Sequence, residues 1–330
     1  MTGFQDNKAL VRQYYDALDA AAAGSIGDAI RPFFADKCLF RGVHPFNDLH
    51  GADAIADRVW SPLRKALGSW QRRMDIFFAG ATIDGAGWVC SMGHFIGLHD
   101  EAWLGIRPTG KLTFVRYADF NRVEDGRIVD SGFFVDIISV MKQAGSNPLP
   151  DQTGAEIITP GPQTCNGLLF DAQPPHEAGI TLDLINRMIA DIVASYGDRM
   201  SADTLRKTWH EDMLWFGPSG IGATHTIPRY QQQHQFPFRE GFRDFKLNGH
   251  IARFAEGNYA GFFGWPNLTL TPTGGFLGMP ASNQPTHLRV VDIYRRDGDK
   301  LAENWIFIDL PYWLLQQGVD ILARNAAIHS

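Results

Sequence analysis

Apolar residues recur along the chain with two spacings, and the switch from one to the other happens twice. In "NKALVRQYYDALDAAAA" Leu10, Val11, Tyr14, Tyr15 and Leu18 share one face of a 3.6-residue repeat, and in "LDLINRMIADIVASY" Leu182, Ile185, Met188, Ile189 and Ile192 do the same. Each stretch predicts an amphipathic helix. A second short helix follows, "IGDAIRPFF" or "SADTLRKTWH", then an apolar strand, "KCLF" or "MLWF". A third helix is broken by proline, Pro62 in one half and Pro237 in the other. Beyond it the apolar period drops to two, and four strands close each half, with "DGAG", "EDGR" and "RDGD" marking tight turns.

Helices first and then a run of antiparallel strands predict an α+β fold, in which a curved sheet wraps its own apolar face and helices cover the opening. A cone of that kind contains a pocket. The two halves are copies of one another. At an offset of 173 positions "EDGRIVDSGFFVDIISVMKQAG" falls on "DGDKLAENWIFIDLPYWLLQQG", pairing Asp136 with Asp309, Gln143 with Gln316 and Gly145 with Gly318. Upstream, Arg116 meets Arg289, Asp119 meets Asp292 and Arg122 meets Arg295; from Trp103 to Gly145 ten of forty-three positions are identical. The predicted organisation is one domain over residues 1–145, a linker rich in proline and glycine over 146–179, and a second copy over 180–330.

Composition narrows the partners. The chain of 330 residues is 45% hydrophobic, carries a formal net charge of -6 and has a pI near 6.0. Its basic residues are scattered, which argues against nucleic acid or an anionic membrane surface as partner. Cys38, Cys90 and Cys165 lie far apart without metal-type spacing, the start lacks the apolar core of a signal peptide, and no stretch is apolar for long enough to span a bilayer. A cytoplasmic protein without structural disulfides is expected.

Candidate chemistry concentrates near the C-terminus. Alternation places His287 and Arg289 on one face of a strand, and Glu303, Trp305, Phe307 and Asp309 on one face of the next. If those faces share an interior, Asp309 is a proton acceptor raised by apolar burial, and His287 or Arg289 steadies an oxyanion on a carbonyl. Trp305 and Trp215 would supply apolar walls. The competing reading of Asp309 is a helix cap before Leu310 and Pro311, with Asp136 doing the same in the first copy. The competing reading of Arg116 and Arg289 is an ion pair with Asp119, Asp292 or Glu303 on the sheet surface. Phe114 and Gly132 stand where the second copy has His287 and Trp305, so any two pockets differ. His94 could line the first pocket; no histidine forms a metal motif, and neither metal nor cofactor is called for.

These residues resemble a family. The stretch "GGFLGMP … HLRVVDIYRRDGDKLAENWIFIDLPYWLLQQG" and its first-copy counterpart "AWLGIRPTGKLTFVRYADFNRVEDGRIVDSGFFVDIISVMKQAG" resemble the SnoaL-like polyketide cyclases of the nuclear transport factor 2-like, cystatin-like superfamily. The resemblance implies an aspartate acid/base, matched by Asp309 first and Asp136 second, acting without metal or cofactor on a polyketide-like or aromatic carbonyl compound. It admits cyclase, isomerase and lyase or dehydratase chemistry. It also implies a sheet-to-sheet pair, here fused in one chain and able to pair further. The alternative it leaves open is a binding or scaffold protein without catalysis. An Asp309 held wholly by backbone N–H groups and turned from any cavity would favour that alternative.

Overall fold

α1 (Gln5–Ala20) buries Val11, Tyr14, Tyr15 and Leu18 of the face its periodicity marks out, with Leu10 half-buried at its edge. Lys8 lies on that face too and is buried, because its ammonium reaches the carbonyls of Leu169 and Asp171 at 2.7 and 3.2 Å. The computed structural model describes residues 4–196 and 199–328 of the chain. It divides into two units, the first made of residues up to Pro148, Pro160–Ala172 and the segment from Asp320, the second of Leu149–Thr159 and Gln173–Val319.

In the first unit α1 leads through α2 (Ile26–Ile30) to β1 (Phe34–Gly42), β2 (Asn47–His50) and α3 (Gly51–Ile55). One π-helical turn, Ala56–Trp60, joins α3 to α4 (Ser61–Ala66), with Pro62 in the first turn of α4 where its missing donor costs nothing. Then come β3 (Leu67–Ala81), β4 (Gly87–His99), β5 (Leu112–Glu124), β6 (Arg127–Val135) and α5 (Ile137–Gln143). The second unit repeats the order with five strands after its helices, where the first unit has the four that the sequence predicts for each half. It has α6 (Pro175–Ala194), α7 (Ala202–Arg206), β7 (Trp209–Phe216), β8 (Ala223–His225), α8 (Ile227–Tyr230), a π-helical turn Gln231–Gln235 and α9 (Phe236–Glu240). β9 (Phe242–Leu247), β10 (Ala252–Glu256), β11 (Tyr259–Pro272), β12 (Thr286–Asp297), β13 (Lys300–Ile308) and α10 (Leu310–Gln316) complete it. α11 (Ile321–Ile328) belongs to the first unit.

The α+β layout read from the sequence is the observed one, with a difference in the sheets. They are mixed: the order is β2-β1-β6-β5-β4-β3 in the six-stranded sheet and β10-β11-β12-β13-β7-β8 in the seven-stranded one, where β9 also pairs with β11. β1 runs parallel to β6 and β7 parallel to β13, against an otherwise antiparallel background. Without β1 and β7 the last strand of each unit would present a row of unpaired N–H and C=O groups. The segment read as linker is ordered: Phe77 bridges to Leu168, Ala155 to Ala223, and α6 already begins at Pro175. Among the described residues no helix is long and apolar enough to cross a membrane.

β3 carries a register shift between Met74 and Ile76, and Gly93 of β4 lies opposite Met74 at that bulge. A Cβ at Gly93 would stand 1.9 Å from the carbonyl oxygen of Arg73, a backbone atom that cannot swing away. We expect Gly93→Ala to destabilise the protein by about 2 kcal/mol through forced separation of the two strands. Urea unfolding measures it, and an unchanged midpoint would mean that the bulge tolerates a side chain.

Candidate active site

The register of β12 and β13 sorts their residues onto two faces. Val290 pairs with Ile308, Asp292 with Ile306 and Tyr294 with Asn304 on one; Val291 pairs with Phe307, Ile293 with Trp305 and Arg295 with Glu303 on the other. The first face, together with Met188 of α6, Trp215 of β7 and the helical stretch that carries Tyr230, His234 and Arg239, encloses a cavity of about 160 Å³. The interior is therefore the face of Asp292.

Asp309, His287, Arg289 and Trp305 share a face, as alternation requires, but it is the one turned away from this cavity. Asp309 is wholly buried and caps α10, its Oδ1 accepting the N–H of Tyr312 at 3.1 Å, while Oδ2 lies 3.2 Å from Arg289 Nη1. The Arg289 guanidinium sits between the rings of Trp265 and Tyr312, 3.9 and 3.6 Å from their centres. His287 shares a hydrogen bond of 3.0 Å with Thr269 Oγ1, and Trp305 stacks on Phe216. The first unit repeats the device: Asp136 caps α5 by accepting the N–H of Ser139 at 3.0 Å. Burial there pushes Arg116 down to about 10, with the Asp136 carboxylate pulling the other way. The arginines thus meet the cap aspartates instead of Asp119, Asp292 or Glu303, and Glu303 pairs with Arg295. His94 lies opposite Arg116 on the outer face of β4, 3.5 Å from Asp75 and edge-on to Phe114. Of the side chains expected at the second pocket, Trp215 alone is on its wall.

Both faces of β12 and β13 are buried, which is why alternation could not choose between them: Val291, Ile293 and Trp305 are as inaccessible as Leu288 and Asn304. In the sequence Asp292 stands out only as an arginine partner, and Tyr294, Asn304, Tyr230 and Arg239 carry no motif that marks them. One signal was available, since an aspartate repeated in mid-strand at Asp119 and Asp292, where no helix starts, has no capping role to explain it.

The cavity wall is chemically active. Burial pushes the Asp292 carboxyl up to about 7, although Asn304 Nδ2 at 3.2 Å and the Tyr294 hydroxyl partly offset it. Burial likewise lifts Tyr230 to about 12, with the Arg239 cation pulling down and the Asp292 charge pushing up, so the phenol senses both groups. His234 stacks on Trp215 with ring centres 3.9 Å apart, and burial followed by the Arg239 cation pushes it down to about 3, leaving a neutral imidazole. Arg239 donates from Nη2 to the Ile192 carbonyl and Ser195 Oγ, both at 3.2 Å, and its Nη1 is buried without a hydrogen-bond partner. Among the described residues no cluster of three or more His, Cys, Asp or Glu side chains is arranged to hold a metal.

Residues 8–144 match the family of SnoaL-like polyketide cyclases. This part of the chain is a SnoaL-like domain. Similar solved structures include a candidate SnoaL-like polyketide cyclase from Jannaschia sp. CCS1, 17% identical over 44% of this chain and 96% of its own, with a TM-score of 0.37. IdmH of Streptomyces antibioticus, described as a candidate polyketide cyclase, is 18% identical over 42% of this chain and 97% of its own, at a TM-score of 0.35. An NTF2-like protein from Burkholderia thailandensis E264 is 22% identical over 42% and 97%, at 0.32. No curated protein matches the chain.

In the SnoaL-like domain the counterpart of Asp292 is Asp119, and its surroundings differ. The Tyr15 hydroxyl donates to Asp119 at 2.8 Å, and burial raises this carboxyl too. Arg72 is bound to Asp19 at 2.8 and 3.0 Å and lies 4.0 and 4.7 Å from the ring centres of Tyr15 and Phe95. Phe95 is itself stacked between Trp70 and Tyr117. A cation and aromatic rings thus pack the interior beside Asp119, whereas Asp292 looks onto open volume.

Two outcomes follow from this geometry. Asp309→Ala removes a cap and leaves the Arg289 cation between two rings without its carboxylate, so it should destabilise the protein by about 3 kcal/mol in urea unfolding. Asp292 behaves differently, because its native pKa of about 7 lies above the unfolded value near 3.8. Its neutral form favours the fold below pH ~4, and that advantage is lost as pH rises through about 7, by up to about 4 kcal/mol. His234 has the opposite sign, its contribution being lost as pH falls from about 6.5 through about 3. The measurement is therefore a difference: stability of the wild type minus that of Asp292→Asn should fall between pH 4 and 7, and a flat difference would place the Asp292 titration elsewhere.

Proposed function

We propose that the chain is an acid/base enzyme of the cyclase, isomerase or lyase type, working on a small carbonyl compound with no metal or cofactor required, and that its active site is the cavity of the second unit. The observation that carries this reading is the Asp292 carboxyl, poised near 7 on a cavity wall, where one group both takes and returns a proton at neutral pH. Asp309, which the family resemblance put first, holds α10 in place through its backbone N–H and Arg289 contacts, and the proton-transfer role passes to Asp292.

The steps balance with protein groups alone. The Asp292 carboxylate takes a proton from the carbon beside the carbonyl, and the electron pair moves onto the carbonyl oxygen. Arg239, with a free N–H at Nη1, steadies that oxyanion in surroundings where little water competes. The neutral acid then returns its proton to a different carbon, an isomerisation, or the enolate carbon attacks a second carbonyl and the proton goes to the new alkoxide, a ring closure. A cavity of about 160 Å³ is close to the roughly 150 Å³ that accommodates benzene, which favours a single substituted ring over a fused polycycle. The rings and the paired cation beside Asp119 keep that carboxyl buried, which favours a structural role for it.

Deuterium exchange tests the reading without a known substrate. Phenylacetone in D₂O should exchange its α-hydrogens faster with the protein than without it, at a rate rising with pH through about 7. Asp292→Asn should slow the catalysed exchange by about 10² to 10⁴, while Asp309→Asn keeps it per folded molecule. Binding without faster exchange would favour the ligand-binding alternative, and full exchange by Asp292→Asn would remove Asp292 from the mechanism.

A further inference from the structure

The helical stretch from Ile227 to Glu240 has a chamber on each side. Tyr230, Phe238 and Arg239 face the inner cavity, whereas Gln233, Pro237 and Glu240 face an outer cleft of about 390 Å³ whose far wall is Pro150–Thr153 and the glycine-rich loop Gly274–Gly278. Both chambers lie within the second unit. His234 is the residue common to their walls. It is 9% exposed, and its Nδ1 is buried without a hydrogen-bond partner. A buried nitrogen left unsatisfied disfavours the empty site, and a ligand atom at the junction would satisfy it.

We propose that the inner cavity and the outer cleft form one ligand site joined at His234: a ring fills the cavity, an oxygen beside the ring meets Nδ1, and a polar tail without negative charge lies in the cleft. This rests on the inner cavity being the substrate site. The tail's chemistry follows from the cleft. Among the described residues its charged side chains are Asp151 and Glu240, the latter paired with Arg199, and no lysine or arginine is on its wall. Amides of Gln152 and Gln233 and the Thr153 hydroxyl supply neutral hydrogen-bonding groups there, so a hydroxylated or amine tail fits and a carboxylate or phosphate is repelled. At the junction a neutral imidazole can offer Nδ1 as donor to an ether or carbonyl oxygen, whichever tautomer it held before. Its ring stays pinned by stacking on Trp215.

Titration calorimetry on the full chain tests this with four probes: ethylbenzene, 4-phenoxybutan-1-ol, 4-phenoxybutan-1-amine and 4-phenoxybutanoate. The alcohol and the amine should bind about tenfold more tightly than ethylbenzene, and the carboxylate more weakly than the alcohol by a factor that shrinks with added salt. His234→Phe keeps a ring on Trp215 and removes the nitrogen, so it should abolish the alcohol's advantage over ethylbenzene measured on the same variant. Gln233→Trp, which fills the outer cleft from a half-buried position, should do the same and serves if the first variant does not fold. Failure of ethylbenzene to bind would defeat the inner-cavity reading itself. Ethylbenzene binding with no gain from the tail, or a gain that survives either variant, would overturn the joined site while leaving the inner cavity standing.

Discussion

Burial of β12 and β13 on both faces is the constraint from which the rest of the second unit follows. A carboxylate on such a strand must be paired, be hydrogen-bonded, or give up its charge, because an isolated buried ion is too costly to keep. Glu303 and Asp292 on these strands and Asp309 just past the end of β13 take different exits. Glu303 pairs with Arg295, and Asp309 is matched by Arg289 and the Tyr312 N–H of α10. Among the described residues Asp292 has the weak donors of Asn304 and Tyr294 and no cation, and therefore holds its proton near neutrality.

The two units show how one architecture carries two interiors. Each has the helical prelude with a π-helical turn ahead of a proline, the parallel seam, and an aspartate that caps the closing helix. The differences sit on the inner face. Asn121 and Ser131 hydrogen-bond each other where the second unit has Tyr294 and Asn304, and in the SnoaL-like domain Tyr15 and the Arg72–Asp19 pair occupy space around Asp119. Filling by rings and a paired cation consumes one aspartate, and an open cavity leaves the other exposed to whatever enters.

Much of this was readable along the chain, for identifiable reasons. The 3.6-residue repeats of α1 and α6, the turns at Asp125-Gly126 and Gly298, and the duplication from Trp103 onward are local or periodic, so a linear string displays them. The cap role of Asp136 and Asp309 is local as well, since a cap reaches only three residues ahead. The parallel partners β1 and β7 were harder, because a few apolar residues between helices say nothing about which distant strand they join.

By itself the sequence determined the element types, the repeat and the sharing of faces within each strand, because backbone geometry alone dictates period and direction. It could not determine which face of β12 and β13 looks inward, since both are apolar and nothing in the alternation distinguishes a face packed on helices from one packed otherwise. That decision belongs to tertiary packing. Only when α6 and the helices around His234 cover the face of Leu288, Val290 and Asp292 does a mid-strand aspartate become the group poised near neutrality, while the aspartate that the sequence made conspicuous becomes a cap.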